Sequence, residues 1–410
     1  MSLVSSELDG SENEDSKSKD SGKKDEKITR VLIVSSIDIS LLRFRGNLIK
    51  LLIKNGYEVY VVAPEYGSHT REQLEQLGAC TYSIPMSRSG LSFVEDWGTY
   101  RKLKGLLREK SIDLIFPYTI KPVMYSSLAG RSLSIPVVGL VNGLGYIFTG
   151  NSPRQRLLRA IVVPVYRYCV AKNRAMIFQN TDDQQYYDIN RLLSFSTRTR
   201  VVSGSGIDLE QFPWREPRGE KDVRFCFVGR LLTEKGILLF MDASKELKKQ
   251  YPNAEFHVYG EIQEGSPNSI TMGDLQSSID TGMIIFHGRV NDIASELRKM
   301  DVIVCPSWYR EGVPRSLLEA LSVGLVVITT DTPGCRETVQ FGVNGWLVPP
   351  RNLGGLVEAM EFALTDIEQI VDMSKNSRSI AAQKFNDRIV NNSIFEEMGK
   401  ALTSSSVSGE

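Results

Sequence analysis

The chain is poor in the residues that build metal centres and nucleophilic dyads. Its 410 residues include three histidines, His69, His257 and His287, widely separated in the sequence. No Asp-x-Asp occurs, so a carboxylate-held divalent cation has no obvious support, and no metal or other cofactor is expected. The five cysteines, Cys80, Cys169, Cys226, Cys305 and Cys335, form no C-x-x-C pair. An odd, scattered set argues against a disulfide framework and fits a reducing, cytoplasmic compartment, with each thiol read as a small buried side chain. Net charge is absent too: 49 Lys+Arg balance 49 Asp+Glu. A whole-chain basic footprint for nucleic acid is thereby excluded. No apolar run approaches the ~20 residues of a membrane-crossing helix. Residues 1–27, "MSLVSSELDGSENEDSKSKDSGKKDEK", are too polar to bury a core and resemble neither a signal peptide nor an anchor.

What is present is an alternation of strands and helices. "ITRVLIVSS" (28–36) reads as a strand buried on both faces, "LLRFRGNLIKLLIKNG" (41–56) as a helix, and "EVYVVAP" (58–64) as the next strand. The pattern repeats to about residue 142 and resumes at "VRFCFVGR" (223–230) after the turn-rich "VVSGSGIDLEQF" (201–212). The expected fold is α/β, two doubly wound Rossmann-like domains facing across a cleft. The expected divisions are a polar tail (1–27), a first domain (28–205), a second domain (206–385), a helix packing back on the first domain (386–402) and a tail (403–410). The stretch 154–174 carries Arg154, Arg156, Arg159, Arg167, Lys172 and Arg174 among apolar residues. Pro164 interrupts it, so two short helical pieces are expected. It reads either as a helix with a solvated face or as a surface for anionic lipid.

Ligands of such folds sit at the carboxyl ends of strands. In "VGRLLTEKG", Gly229 and Arg230 end a strand, and Lys235 precedes a helix start, which suits a diphosphate. "WYREGVPRSLLEALSVGLVVITTD" (308–331) places Glu311 in a strand-to-helix loop and Glu319 eight residues on. Eight residues of helix put the two carboxylates ~12 Å apart, too far for a proton-transfer pair and right for the two ends of an extended ligand. A carboxylate inside the helix can accept ribose hydroxyls, and one in the loop can reach a sugar. Glu319 lies among Leu317, Leu318, Ala320 and Leu321, which is costly unless it is paired or bound.

As a set, "VGRLLTEKG", "HGRVNDI", "PSWYREGVPRSLLEAL", "TPGCRETV" and "NGWLVPP", with "FRGNLIKLLIKNGYEVYVVAP", "NGLGYIFTG", "FQNTDDQQYY" and "VVSGSGIDLEQF", resemble the family-4 retaining glycosyltransferases of GT-B architecture. The likeness spans roughly 28–400 and is greatest to the branch building capsule, O-antigen or lipid-linked oligosaccharides. It implies a nucleotide-sugar donor, UDP-linked by resemblance, and a saccharide or lipid-linked acceptor. It implies that Arg230, Lys235 and Glu311 act at the reacting centre. Gly229, Arg289, Val290, Gly312, Val313, Pro314, Arg315, Ser316 and Glu319 would bind the donor. Arg45, Gly46, Tyr118, Asn142 and Gly143 would face the acceptor. The sequence departs from the family in lacking paired glycines in the first loop and a histidine in "PYTIKP" or "VNGLGY", where Tyr118 or Asn142 takes that place. A catalytically silent binding protein and a nucleotide-sugar epimerase are the competing readings. The first predicts a broken donor site, and the second wants acid and base groups that the scarce histidines do not supply.

Overall fold

The computed structural model describes residues 28–87, 93–144, 153–220, 222–263, 265–266 and 268–403. The tails 1–27 and 404–410 and the "GYIFTG" part of the glycine-rich motif lie outside them.

The first half is a parallel sheet of seven strands. β1 (Arg30–Val34), β2 (Glu58–Ala63), β3 (Cys80–Ser83) and β4 (Leu114–Pro117) run in the order β3-β2-β1-β4. β5 (Val138–Val141), β6 (Ala175–Phe178) and β7 (Arg198–Val201) continue it, joined to β4 through the parallel bridges Ile115–Val137 and Tyr118–Leu140. Val31 to Val34 are fully buried. Each such side chain contributes about 1.5–3 kcal/mol relative to exposure, which explains the continuous apolar run. The order reverses at β1, leaving a crevice between the carboxyl ends of β1 and β4. There the Ser36 and Thr119 hydroxyls meet at 3.1 Å.

The second half is a six-stranded parallel sheet in the order β10-β9-β8-β11-β12-β13, from β8 (Arg224–Val228), β9 (Glu255–Tyr259), β10 (Ile285–Gly288), β11 (Val302–Cys305), β12 (Val326–Thr330) and β13 (Gly345–Val348). The helix Asp387–Thr403 returns to the first half, burying Val390, Ile394, Met398 and Ala401 in the same core as β1 and β2.

Two sequence expectations are corrected, and one contact is added that the sequence did not signal. The basic stretch forms one helix, Pro153–Val170, with Pro164 inside it. Proline removes one backbone bond there, and packing of Tyr166, Cys169 and Val170 carries the helix through. Cys80 is exposed, whereas the other four cysteines are buried. His257 and His287, thirty residues apart, stand side by side because β9 pairs with β10, and their rings meet Nδ1 to Nε2 at 2.9 Å. Among the described residues, no group of three His, Cys, Asp or Glu is placed to hold a metal ion.

Candidate active site between the two halves

β8 ends at Val228, and the amide of the next residue, Gly229, donates to the Tyr259 carbonyl at 3.0 Å, locking the ends of β8 and β9 together. A short turn, Thr233–Lys235, then leads to the helix Ile237–Leu247 through Gly236 at φ +81°. A Cβ on Gly236 would stand 2.3 Å from the Pro306 carbonyl oxygen, so only glycine lets this turn lie on the end of β11. The Trp308 and Tyr309 amides donate to the Glu234 carbonyl at 3.0 and 3.2 Å. These contacts bring Lys235 to the loop after β11. Its ammonium closes on the Glu311 carboxylate and lies 5.6 Å from the Tyr309 ring centroid. Burial disfavours the Lys235 charge, but the Glu311 carboxylate and the nearby Cys305 and Cys335 thiols together hold its pKa above the ordinary lysine value. Arg230 is exposed at the end of β8.

The helix Arg315–Val323 starts after Pro314, the residue before its first turn, and has no side-chain cap. Its first turn therefore presents unpaired backbone amides, the positive end of the helix dipole, next to Gly312, Val313 and Ser316. Glu319 pairs with Arg315, Nε to Oε1 at 3.2 Å, which answers the cost of an acid among leucines. Burial pushes the Glu319 carboxyl up, and Arg315 pulls against it. Arg315 also donates to the Gly206 carbonyl at 3.1 Å and lies over the Phe44 ring at 5.4 Å, tying the helix to the turn-rich segment 201–212 and to the first half. At the end of β10, Gly288 has φ +65°, Arg289 is exposed and pairs with Glu261 at 3.3 Å, and Val290 is half-buried beside Ile293 and Ala294.

On the first-half side, the expectation that Arg45, Gly46 and Tyr118 face the cleft is corrected. Arg45 is wholly buried, its guanidinium 5.2 Å from the Tyr118 ring centroid and 5.9 Å from that of Phe116. Burial pulls its pKa down to about 10. Tyr118 is also fully buried and meets the Ser40 hydroxyl at 2.8 Å. Gly46 sits on the helix Asp38–Lys54 against Leu42 and Leu77. The helix turns this face to the sheet because its apolar positions lie there, and Arg45 rides among them. Asn142 and Gly143 do stand against the second half. The Gly312 amide donates to the Asn142 carbonyl at 2.7 Å. The Asn142 Oδ1 is buried without a hydrogen-bond donor.

Sequence reasoning missed the ion pairs that join the second half to the first. Asp183 pairs with Arg310 at 3.5 Å and Asp182 with Arg336 at 2.8 Å. Both acids lie in the first turn of the helix Thr181–Ile189, capped by the Asn180 side chain. The "NTDD" pattern signals that helix start, but nothing local identifies its basic partners 127 and 154 residues downstream.

Comparison with known proteins accounts for both halves. Residues 208–380 match the family model described as Glycosyl transferases group 1, and residues 45–186 match Glycosyltransferase Family 4. The N,N'-diacetylbacillosaminyl-diphospho-undecaprenol alpha-1,3-N-acetylgalactosaminyltransferase of Campylobacter jejuni is 25% identical, over 88% of this chain and 100% of that one. The UDP-Gal:alpha-D-GlcNAc-diphosphoundecaprenol alpha-1,3-galactosyltransferase of Escherichia coli is 24% identical, over 82% of this chain and 87% of that one. Anabaena HepE, solved with UDP and glucose, superposes with a TM-score of 0.72 at 18% identity, covering 91% of this chain and 100% of that one. The first half thus carries a Glycosyltransferase Family 4 domain, the second half a Glycosyl transferases group 1 domain, and the fold of the chain is GT-B.

Proposed function

We propose that the protein transfers a sugar from a UDP-sugar to a saccharide carried on a polyprenyl diphosphate, with retention of anomeric configuration. The observation that carries this reading is the meeting of Lys235, Glu311 and the start of the helix Arg315–Val323 with Asn142 across the cleft. Donor groups and an acceptor wall face one another there. The relatives named for undecaprenyl-diphosphate acceptors supply the acceptor class, and the UDP bound to Anabaena HepE supports the nucleotide.

In this reading the donor diphosphate lies at the uncapped helix start with Arg230 and Lys235 on its oxygens. Glu319 accepts the ribose hydroxyls, Arg289 and Val290 flank the base, and Glu311 holds the sugar. As the bond from C1 to the phosphate oxygen breaks, negative charge grows on the diphosphate, where Lys235 and Arg230 are aimed. The acceptor oxygen forms its bond to C1 on the same face. Its proton passes to the departing phosphate oxygen, so no protein base is required. In this reading an acceptor hydroxyl donates to Asn142 Oδ1, which is supported by that oxygen being buried without a donor.

A lipid-linked acceptor also calls for a membrane surface. On the helix Pro153–Val170, Leu157, Ile161, Val165 and Tyr168 are exposed at 67, 53, 49 and 61%. Their spacing of four, four and three forms one apolar stripe. Exposed Arg156 and Lys172 flank it, and this pattern suits an anionic bilayer. Among the described residues, no helix is long and apolar enough to cross a membrane. Sedimentation with anionic vesicles is expected to fall with salt and with Leu157→Asp/Ile161→Asp. Equal recovery with neutral vesicles contradicts the membrane part. The donor part is tested by thermal shift with a panel of nucleotide-sugars: a UDP-sugar should raise Tm, because a ligand bound to the folded state stabilises it. A rise confined to purine nucleotide-sugars contradicts it.

A further inference from the structure

The loop Trp308–Pro314 belongs to the second half, yet the first half holds it from three sides. Asn142 accepts from Gly312, Gln179 lies where a Cβ on residue 312 would stand, and Asp183 pairs with Arg310. Arg310 immediately precedes Glu311. Its guanidinium also lies 5.2 Å from the Tyr186 ring centroid, on the same first-half helix as Asp183. The Asp183 side chain is fully buried, and its Oδ2 is taken by the Asn180 amide at 3.0 Å. Its Oδ1 and the Arg310 Nε are buried and make no hydrogen bond, facing each other at 3.5 Å. A buried carboxylate oxygen and a buried guanidinium nitrogen left slightly too far apart have a strong incentive to close. Burial raises the Asp183 carboxyl, which a shorter contact with Arg310 would relieve. Contacts at reacting centres are often long before substrate binds and tighten afterwards.

From this geometry we infer that Asp183 is a positioning residue for sugar transfer: through Arg310 it sets the place of Glu311, so that the donor-sugar loop reaches its working position only when the two halves are closed. The inference rests on the function proposed above. The nucleotide contacts of that function lie in the second half and do not pass through Asp183. Nucleotide binding and turnover should therefore separate.

The test is a double-mutant cycle on the full chain with Asp183→Asn, Arg310→Met and the pair. Turnover is read with a panel of UDP-sugars and alpha-D-GlcNAc-diphosphoundecaprenol, and UDP affinity by calorimetry without acceptor. Each single change is expected to lower kcat about tenfold, and the pair to fall no more than about twofold below the poorer single, since both remove one interaction. UDP Kd should stay within about twofold of the wild type. A purely structural role for Asp183, as part of the Asn180 cap, gives multiplied losses of about a hundredfold in the pair and overturns the inference. So does unchanged kcat in Asp183→Asn. If Asp183→Asn does not fold, Arg310→Met decides alone: kcat must fall with UDP Kd unchanged, and a Kd that weakens in step overturns the assignment. A wild-type protein that transfers no sugar from any donor refutes the proposed function instead, so the two failures are distinct.

Discussion

The Gly312 amide hydrogen-bonds the Asn142 carbonyl at 2.7 Å, joining the loop after β11 to the end of β5. The approach is so close that a Cβ at 312 would stand 2.4 Å from the Asn142 oxygen and 2.2 Å from Gln179 Oε1. Gln179 can swing away, whereas the Asn142 backbone cannot. Gly312→Ala should therefore hold the two halves apart. Its kcat is expected to drop by about tenfold or more, the scale of a lost positioning contact, while UDP affinity stays near wild type. A full-activity Gly312→Ala enzyme would show that this contact is not part of the working state.

In the proposed mechanism, Lys235→Ala removes a cation that stabilises the leaving diphosphate, and it leaves Glu311 without its partner. A loss of about 10²–10³ in kcat is expected, the size seen when one preorganised donor to a developing charge is removed. Nucleoside diphosphate release under saturating donor and acceptor measures it. Circular dichroism should show the fold intact.

Glu319→Gln keeps the shape beside Arg315 but removes the carboxylate. Ribose binding is shared by ground and transition states, so donor KM should rise about tenfold with kcat little changed. The wild type should also prefer UDP over 2'-deoxy-UDP in calorimetry, and the variant should lose that preference.

Acid sensitivity should centre on the β9–β10 edge. Burial holds His257 and His287 below the ordinary histidine pKa. Glu255 and Arg224 face His257, and Glu296 and Lys299 face His287. The unfolded chain then binds more protons than the folded one as pH drops below the ordinary histidine value of ~6.5. Stability should be fully present above that pH and decline toward the lower folded values. Tm is expected to fall between pH 7 and pH 5.5, and less steeply in His287→Phe, which removes one of the two groups. Parallel slopes for the two proteins would assign the acid sensitivity elsewhere.

The strand–helix alternation and the two sheets were legible because parallel strands buried on both faces leave uninterrupted apolar runs such as "RVLIV". The Lys235 and Glu311 loops were legible because both lie just after such runs. Arg45 and Tyr118 were misplaced because both were carried over from the family pattern, and only the packing of Arg45 against the Phe116 and Tyr118 rings shows that they are buried inside the first half. The Asp183–Arg310 and Asp182–Arg336 pairs left no local trace, since the partners meet only when the halves come together. The contact of His257 with His287 depended on strand order, which residue spacing does not encode.

The most direct test is the anomeric configuration of the product. Purified protein is incubated with α-configured UDP-sugars and alpha-D-GlcNAc-diphosphoundecaprenol, and the new linkage is read by proton NMR before it accumulates side products. A new α-glycosidic bond on the lipid-linked acceptor is predicted. A β-linked product, or sugar released to water with the acceptor left unmodified, would contradict it.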